Sequence, residues 1–247
     1  ADGYGSISLD GDILSLGLPR DGEAPKAVVN ELAFYTHSKN AGQTGNISVV
    51  ATQDLKLGGI SIAQEGLLLA GRGLVESGPV GRGSDVLFSG QNVIGQSNPG
   101  PNGGFASFDC RYTGNLTFVA EDQLTLGLAH YIYLNNAPSE MHSITFMGRN
   151  VSLGIEARYN PNRWPTSSLR VHQPQEVVQE AAPKLVMRAD EAITFQPGFQ
   201  TNDDFATVGP FNGIPGRHGV SAVDIEARKV VFNASKLSLH SNYEHRI

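Results

Sequence analysis

The chain has 247 residues, with 24 acidic and 18 basic side chains giving a formal net charge of −6, a balance that offers nucleic acid or an anionic membrane no basic surface to bind. Twenty-nine glycines and thirteen prolines against 17% charged residues describe a turn-rich folded protein, because disordered chains carry more charge and fewer β-branched residues. No apolar run approaches the ~20 residues of a membrane span, and the single cysteine, Cys110, excludes an internal disulfide.

Residues 1–45 begin with ADGYGSISLDGDI, which has neither the basic start nor the hydrophobic stretch of a secretory leader. The chain is therefore expected either to have had such a leader removed or to be made without one. ISLDGDILSLGL alternates well enough for one or two strands, and Lys26–Tyr35 after Pro25 reads equally as a short helix or as extended chain. We read 1–45 as a cap or attachment segment.

A recurring unit starts at residue 46. NISVVATQDLKLG (46–58) is matched by NLTFVAEDQLTLG (115–127), and KLVMRADEAITF (184–195) keeps the same spacing. Three copies are one residue shorter in the middle: DVLFSGQNVIG (85–95), SITFMGRNVSLG (143–154) and AVDIEARKVVF (222–232). All six hold a small residue at one position: Ala51, Gly90, Ala120, Gly148, Ala189 and Ala227. Apolar and polar side chains alternate on either side of it, so each copy reads as strand, polar bend, strand, with the small residue where backbones approach closely. The copies predict an all-β protein of β-helical or layered β-sheet rungs separated by variable loops. LRVHQPQEVVQEAAP (169–183), with Pro174 and Pro183 near its ends, reads as a linker or short helix. It divides a repeated region (46–168) from a second β region (169–247).

Local motifs for chemistry are weak. Gly71–Gly83 lacks the Gly-Lys-Ser/Thr ending of a phosphate loop, and Gly95-Gln96-Ser97-Asn98-Pro99 fails the last position of a nucleophile elbow. The seven histidines (37, 130, 142, 172, 218, 240 and 245) show no metal-ligand spacing, so no cofactor or metal is expected. The acidic pairs Asp10/Asp12, Glu121/Asp122, Asp190/Glu191 and Asp203/Asp204 are candidate glycosidase carboxylates or charges that solvate corners. Asn46, Asn115, Asn150 and Asn233 each begin an Asn-x-Ser/Thr triplet. Arg111, Tyr112, Arg158, Tyr159, Arg163 and Trp164 place aromatic rings beside guanidinium groups in the long loops, and are the candidate surface-contact residues.

NLTFVAEDQLTLGLAHYIYL (115–134) and VDIEARKVVFNASKLSL (223–239) resemble the β-helical part of phage central spikes and related type VI secretion tip proteins. That resemblance implies strands ending in Ala or Gly stacked along an axis, three intertwined chains, and a place in a virion tail beside other tail proteins. The spacing of the copies is less regular than in that family, and a terminal His-x-His is absent. ADEAITFQPGF (189–199) resembles the Ile-x-Leu-x-Pro-Gly-Phe strand of repeated surface domains in secreted bacterial proteins, and the Asn-Leu-Thr rungs are similar to those of filamentous haemagglutinin-like adhesins. The leading expectation is a non-enzymatic, homotrimeric spike, hub or fibre subunit that contacts a host-surface glycan through its loops. A single-chain secreted adhesin and a carbohydrate-active β-helix enzyme are the alternatives.

Overall fold

The structure is a computed structural model that describes residues 6–16, 32–38, 45–58, 60–66, 85–95, 107–111, 115–126, 131–135, 143–153, 167–172, 184–195, 199–200, 220–233 and 241–246. In chain order the strands are β1 (Ile7–Gly11), β2 (Leu14–Leu16), β3 (Leu32–Ser38), β4 (Ile47–Ala51), β5 (Asp54–Leu57), β6 (Ile60–Gly66), β7 (Val86–Gly95) and β8 (Ser107–Arg111). They continue with β9 (Leu116–Leu126), β10 (Tyr131–Asn135), β11 (Ser143–Leu153), β12 (Ser167–His172), β13 (Lys184–Phe195), β14 (Phe199–Gln200), β15 (Val220–Phe232) and β16 (Ser241–Arg246). No helix occurs among the described residues.

Every strand pairing among the described residues is parallel. A long sheet runs β1-β4-β7-β9-β11-β13-β15-β16, with β2 and β5 beside it, and a second sheet runs β14-β12-β10-β8-β6-β3. From β2 to β15 the chain visits the two sheets in turn. Each long-sheet rung is followed by one strand of the second sheet, as β3 follows β2, β6 follows β5 and β8 follows β7. Parallel neighbours cannot be joined by a tight hairpin, and here the return passes through the other sheet.

Register explains why the copies look alike. Ile7, Ile47, Val86, Leu116, Ile144, Leu185 and Val223 form one column across the long sheet, each paired with the next. Two positions on, Leu9, Val49, Phe88, Phe118, Phe146, Met187 and Ile225 form a second. Beyond the bend lies a third: Leu14, Leu55, Val93, Leu124, Val151, Ile193 and Val230. Side chains alternate across a strand, so all three columns point to one face. That face is the core: the five middle rungs of each column are at most 2% exposed. Phe88, Phe118 and Phe146 stack at centroid separations of 5.3 and 5.4 Å, close to the ~4.8 Å spacing of neighbouring strands.

Residues 7–16 complete the column at its start, which makes them a seventh copy inside the segment read as a cap. The sequence comparison missed it because Asp10, Gly11 and Asp12 disguise the corner. The stretch left open between helix and extended chain is a strand where it is described, from Leu32. Residues 169–172 belong to β12, and β11 pairs directly with β13, so the long sheet runs on across the proposed linker.

The small residues sit at the bend, and the rungs there differ in length by strict alternation. One residue separates the paired positions in β7 (Gln91 between Gly90 and Asn92), in β11 (Arg149) and in β15 (Arg228). Two residues do so in β9 (Glu121-Asp122) and in β13 (Asp190-Glu191). The first two rungs keep the same difference of one residue, with Asp12-Ile13 between the paired positions of the first and Thr52-Gln53-Asp54 between those of the second. Two-residue corners follow Ala51, Ala120 and Ala189; one-residue corners follow Gly11, Gly90 and Gly148, with Ala227 departing from glycine at the seventh, half-buried corner. Close approach is the reason for glycine. A Cβ on Gly90 would lie 2.9 Å from the Asn92 carbonyl oxygen and 3.1 Å from that of Gln53 in the rung before.

Two stability predictions follow from this packing. Phe118→Ala removes the middle ring of the stack and lowers the unfolding free energy by about 3–5 kcal/mol, read from chemical denaturation. Gly90→Ala forces a methyl group against two backbone oxygens and costs about 1–3 kcal/mol. Gly148→Ala, whose Cβ would meet its nearest oxygens at 3.2 and 3.3 Å, costs less. The reverse order would show that approach distance at the corner does not govern the choice of glycine.

Candidate functional site

Outside the core columns, polar side chains are also brought into columns, and these are the clusters of interacting side chains that the described residues offer. At the strand starts, Asn46, Asp85, Asn115 and Ser143 follow one another rung by rung. The Asp85 amide donates to Asn46 Oδ1 (3.2 Å), the Asn115 amide and Nδ2 both donate to Asp85 Oδ1 (3.1 Å each), and Ser143 Oγ donates to Asn115 Oδ1 (2.9 Å). The asparagines that open the triplets at 46 and 115 take part in this ladder, where their side-chain amides bridge rungs.

The corners form a second column. The Thr52 and Gln53 amides donate to the carbonyl oxygens of Gly11 and Asp12, each at 2.9 Å, and Thr52 Oγ1 donates to Asp12 Oδ1 at 2.8 Å. Farther along, Arg149 of a one-residue corner lies between two acidic corners. Its guanidinium meets Glu191 Oε1 at 2.7 Å and Asp122 Oδ1 at 4.0 Å. The Glu191 carboxyl is held below its ordinary range by the hydrogen bond and charge of Arg149, with Asn150 and Arg228 adding to the effect. These groups are half-exposed, so solvent screens the attraction and the pair adds little net stability.

Among the ion pairs of the described residues, the most enclosed member is Asp224 on β15, whose side chain is 18% exposed. Arg188 Nη2 and Lys184 Nζ approach its Oδ2 at 2.8 and 2.9 Å, and Arg188 Nη1 reaches Oδ1 at 3.2 Å. Arg188 also reaches Glu226 at 3.1 Å. Hydrogen bonds from Arg188 and Lys184 push the Asp224 carboxyl down to about 2. The arrangement joins rungs six and seven by charge.

Of the sequence-predicted contact residues, Arg111 ends β8, in register with Asn135 of β10 and Ala63 of β6. Tyr112, Arg158, Tyr159, Arg163 and Trp164 lie outside the described residues. The pairs Glu121/Asp122 and Asp190/Glu191 stand at corners, as expected for solvating charge; Asp203/Asp204 lies outside the described residues. No group of three or more His, Cys, Asp or Glu suited to a metal occurs among the described residues, and no helix there is long and apolar enough to cross a membrane. The corner column was missed in the sequence. Its signal was available: once the copies are aligned at the small residue, acidic pairs and single arginines alternate over the last four, Glu121-Asp122, Arg149, Asp190-Glu191 and Arg228.

Asp224 carries a pH prediction with a definite sign. Its folded pKa lies below the unfolded value, so the unfolded chain takes up the proton first and the stabilisation, full above pH 4, is lost as pH falls toward 2. That loss amounts to about 1–2 kcal/mol after allowance for partial exposure. Asp224→Asn should lower the unfolding free energy at pH 7 and flatten the decline between pH 4 and 2 relative to the parent. Parallel acid profiles for the two proteins would remove Asp224 from the acid response.

Comparison of the chain with protein-family models, with curated proteins and with solved structures finds no match.

Proposed function

We propose that the chain is a non-enzymatic, single-chain β-solenoid, a stiff segment of a secreted bacterial adhesin that holds its loops away from the surface it serves. One observation supports this reading: within a single chain the long-sheet strands β1, β4, β7, β9, β11, β13 and β15 stack each beside the next with counterpart residues in register. An intertwined trimer alternates chains along such a ladder, whereas a single coil pairs each rung with its own previous turn. The visits to the second sheet between rungs fit a coil too. So does the alternation of burial on the long sheet, because a parallel sheet packed by helices is normally buried on both faces. A coil of this kind gives stiffness along its axis, since the strand arms of a rung pair with the rungs above and below. Loops between the sheets vary in length without disturbing the register, which suits a rod whose loops make the contacts.

A phage-tail spike or fibre subunit is the second reading, favoured by the outer face of the long sheet. Leu87, Val119, Met147 and Val186 lie there among polar neighbours, and Met147 is 40% exposed. Three solenoids packed side by side would cover that strip.

The two readings separate on molar mass measured by light scattering during size-exclusion chromatography. The adhesin reading expects a monomer near 26.3 kDa at all loading concentrations. A stable trimer that Met147→Glu dissociates would overturn it in favour of the tail subunit.

A further inference from the structure

The second sheet carries a pattern that the rod reading leaves unused. β8, β10 and β12 pair in unbroken register over five residues each. Every other position gives Ser107, Asp109 and Arg111 on β8, Tyr131, Tyr133 and Asn135 on β10, and Ser168, Arg170 and His172 on β12. These make three rows of three, each residue in register with its counterpart on the next strand. The positions between them are apolar without exception: Phe108, Ile132 and Leu169 form one row, and Cys110, Leu134 and Val171 the other. Consecutive residues of a strand belong to opposite faces, so these three strands have one apolar face and one face made of the grid. The apolar face of a sheet is the one that packs on a core.

Alternation by itself asks only that the other face be polar. The long-sheet strands of the same three turns, β7, β9 and β11, meet that demand with plain residues. Between their core positions stand Leu87 and Ser89, Thr117 and Val119, and Thr145 and Met147, with neither an aromatic ring nor a charge among them. The grid differs in kind. It has two tyrosines on its middle strand, an arginine on each flanking strand, and a carboxylate, an amide and an imidazole around them.

That set of groups has a recognisable ligand chemistry. A tyrosine offers a flat apolar ring with a hydroxyl at its tip, which suits the C–H face and hydroxyl rim of a sugar. Asp109, Asn135, Ser107 and Ser168 supply acceptors and donors for further hydroxyls. The two arginines outnumber the one carboxylate, and a guanidinium holds a carboxylate by two parallel hydrogen bonds. Arg111 and Arg170 lie two strands and one row apart, a backbone separation of roughly 12 Å that suits acid groups on different sugars of one chain. Asp109 is an acceptor that a hydroxyl-rich sugar satisfies and a phosphate backbone repels.

We propose that the grid centred on Tyr133 is the outer face of the second sheet and a binding site for a carboxylated polysaccharide, with Tyr131 and Tyr133 as the sugar platform and Arg111 and Arg170 as the carboxylate-binding groups. The inference does not rest on the adhesin reading and applies equally to a tail subunit.

Isothermal titration calorimetry of the full chain with polygalacturonate, alginate and hyaluronate tests it, with dextran as the neutral polymer and oligo(dT) as the phosphate one. At least one of the three carboxylated polymers should bind saturably, dextran should not bind, and oligo(dT) should bind more weakly. Arg111→Gln and Arg170→Gln should each weaken binding at least tenfold while leaving the circular dichroism and thermal midpoint of the chain unchanged. Lys56→Gln, which removes a positive charge from β5 of the long sheet, should leave the affinity within twofold. Should an arginine variant unfold, Arg170→Lys keeps the charge and the stem, and should still lower the affinity at least threefold because an ammonium cannot fork a carboxylate. The proposal is overturned if none of the three carboxylated polymers binds, if dextran binds equally, if Lys56→Gln weakens binding as much as the arginine variants do, or if folded arginine variants bind as the parent does. Tighter binding of oligo(dT) would overturn it in favour of a single-stranded nucleic-acid surface.

Discussion

In-register parallel stacking is the constraint from which the rest of the molecule follows. Each rung lies ~4.8 Å from the next, and every residue sits beside its counterpart one turn away. A position is therefore selected as a column and not as a single site. Inward columns must be apolar throughout, because one charged member would be buried between two apolar neighbours with nothing to pair it. The column Ile7, Ile47, Val86, Leu116, Ile144, Leu185 and Val223 satisfies that demand over seven turns, and so does the column holding Phe88, Phe118 and Phe146. Outward columns face the same geometry with opposite chemistry. Polar groups stacked on polar groups must be complementary, which is how Asn46, Asp85, Asn115 and Ser143 come to be joined by hydrogen bonds.

The corner is where that constraint is hardest to satisfy. Two backbones turning at the same level bring carbonyl oxygens together, and alternating one- and two-residue corners lets each turn fit against a neighbour of different length. Glycine is used on the tighter turn, where a Cβ on Gly90 would press on backbone oxygens of its own rung and of the one before. Alanine appears on the wider turn, with Ala51 and Ala120 almost fully buried. None of Gly11, Gly90 and Gly148 has a left-handed backbone angle, so steric approach, and not conformational freedom, accounts for them.

Electrostatics follows the same two-rung rhythm. Arg149 lies between Asp122 and Glu191, while Arg188 and Lys184 converge on Asp224 one rung above them. These contacts link neighbouring turns at their solvent edge. Their net strength is modest because most of the groups are exposed, but charges of one sign stacked directly on each other would oppose the register that the core requires.

Much of this fold was legible before any coordinate. The alternation of apolar and polar residues, the recurring small residue and the two corner lengths identified six strand–bend–strand rungs and an all-β chain, because columns selected together leave the same pattern in each copy. The first rung escaped notice, since Asp10-Gly11-Asp12 resembles a loop until Gly11 is seen opposite Ala51. The candidate contact residues around Trp164 rest on the adjacency of aromatic rings and arginines in a long loop, and they lie outside the described residues. What the sequence determined by itself was the unit and its repetition, both local properties of alternation and spacing. Only the tertiary structure decided which copies are neighbours, that short and long corners alternate in space, and that Arg149 and Asp224 find their partners in adjacent rungs. The hydrogen bonds of Arg149 with Glu191 and of Lys184 and Arg188 with Asp224 join residues 36 to 42 positions apart, and no local pattern encodes which turn of the chain comes to lie against which.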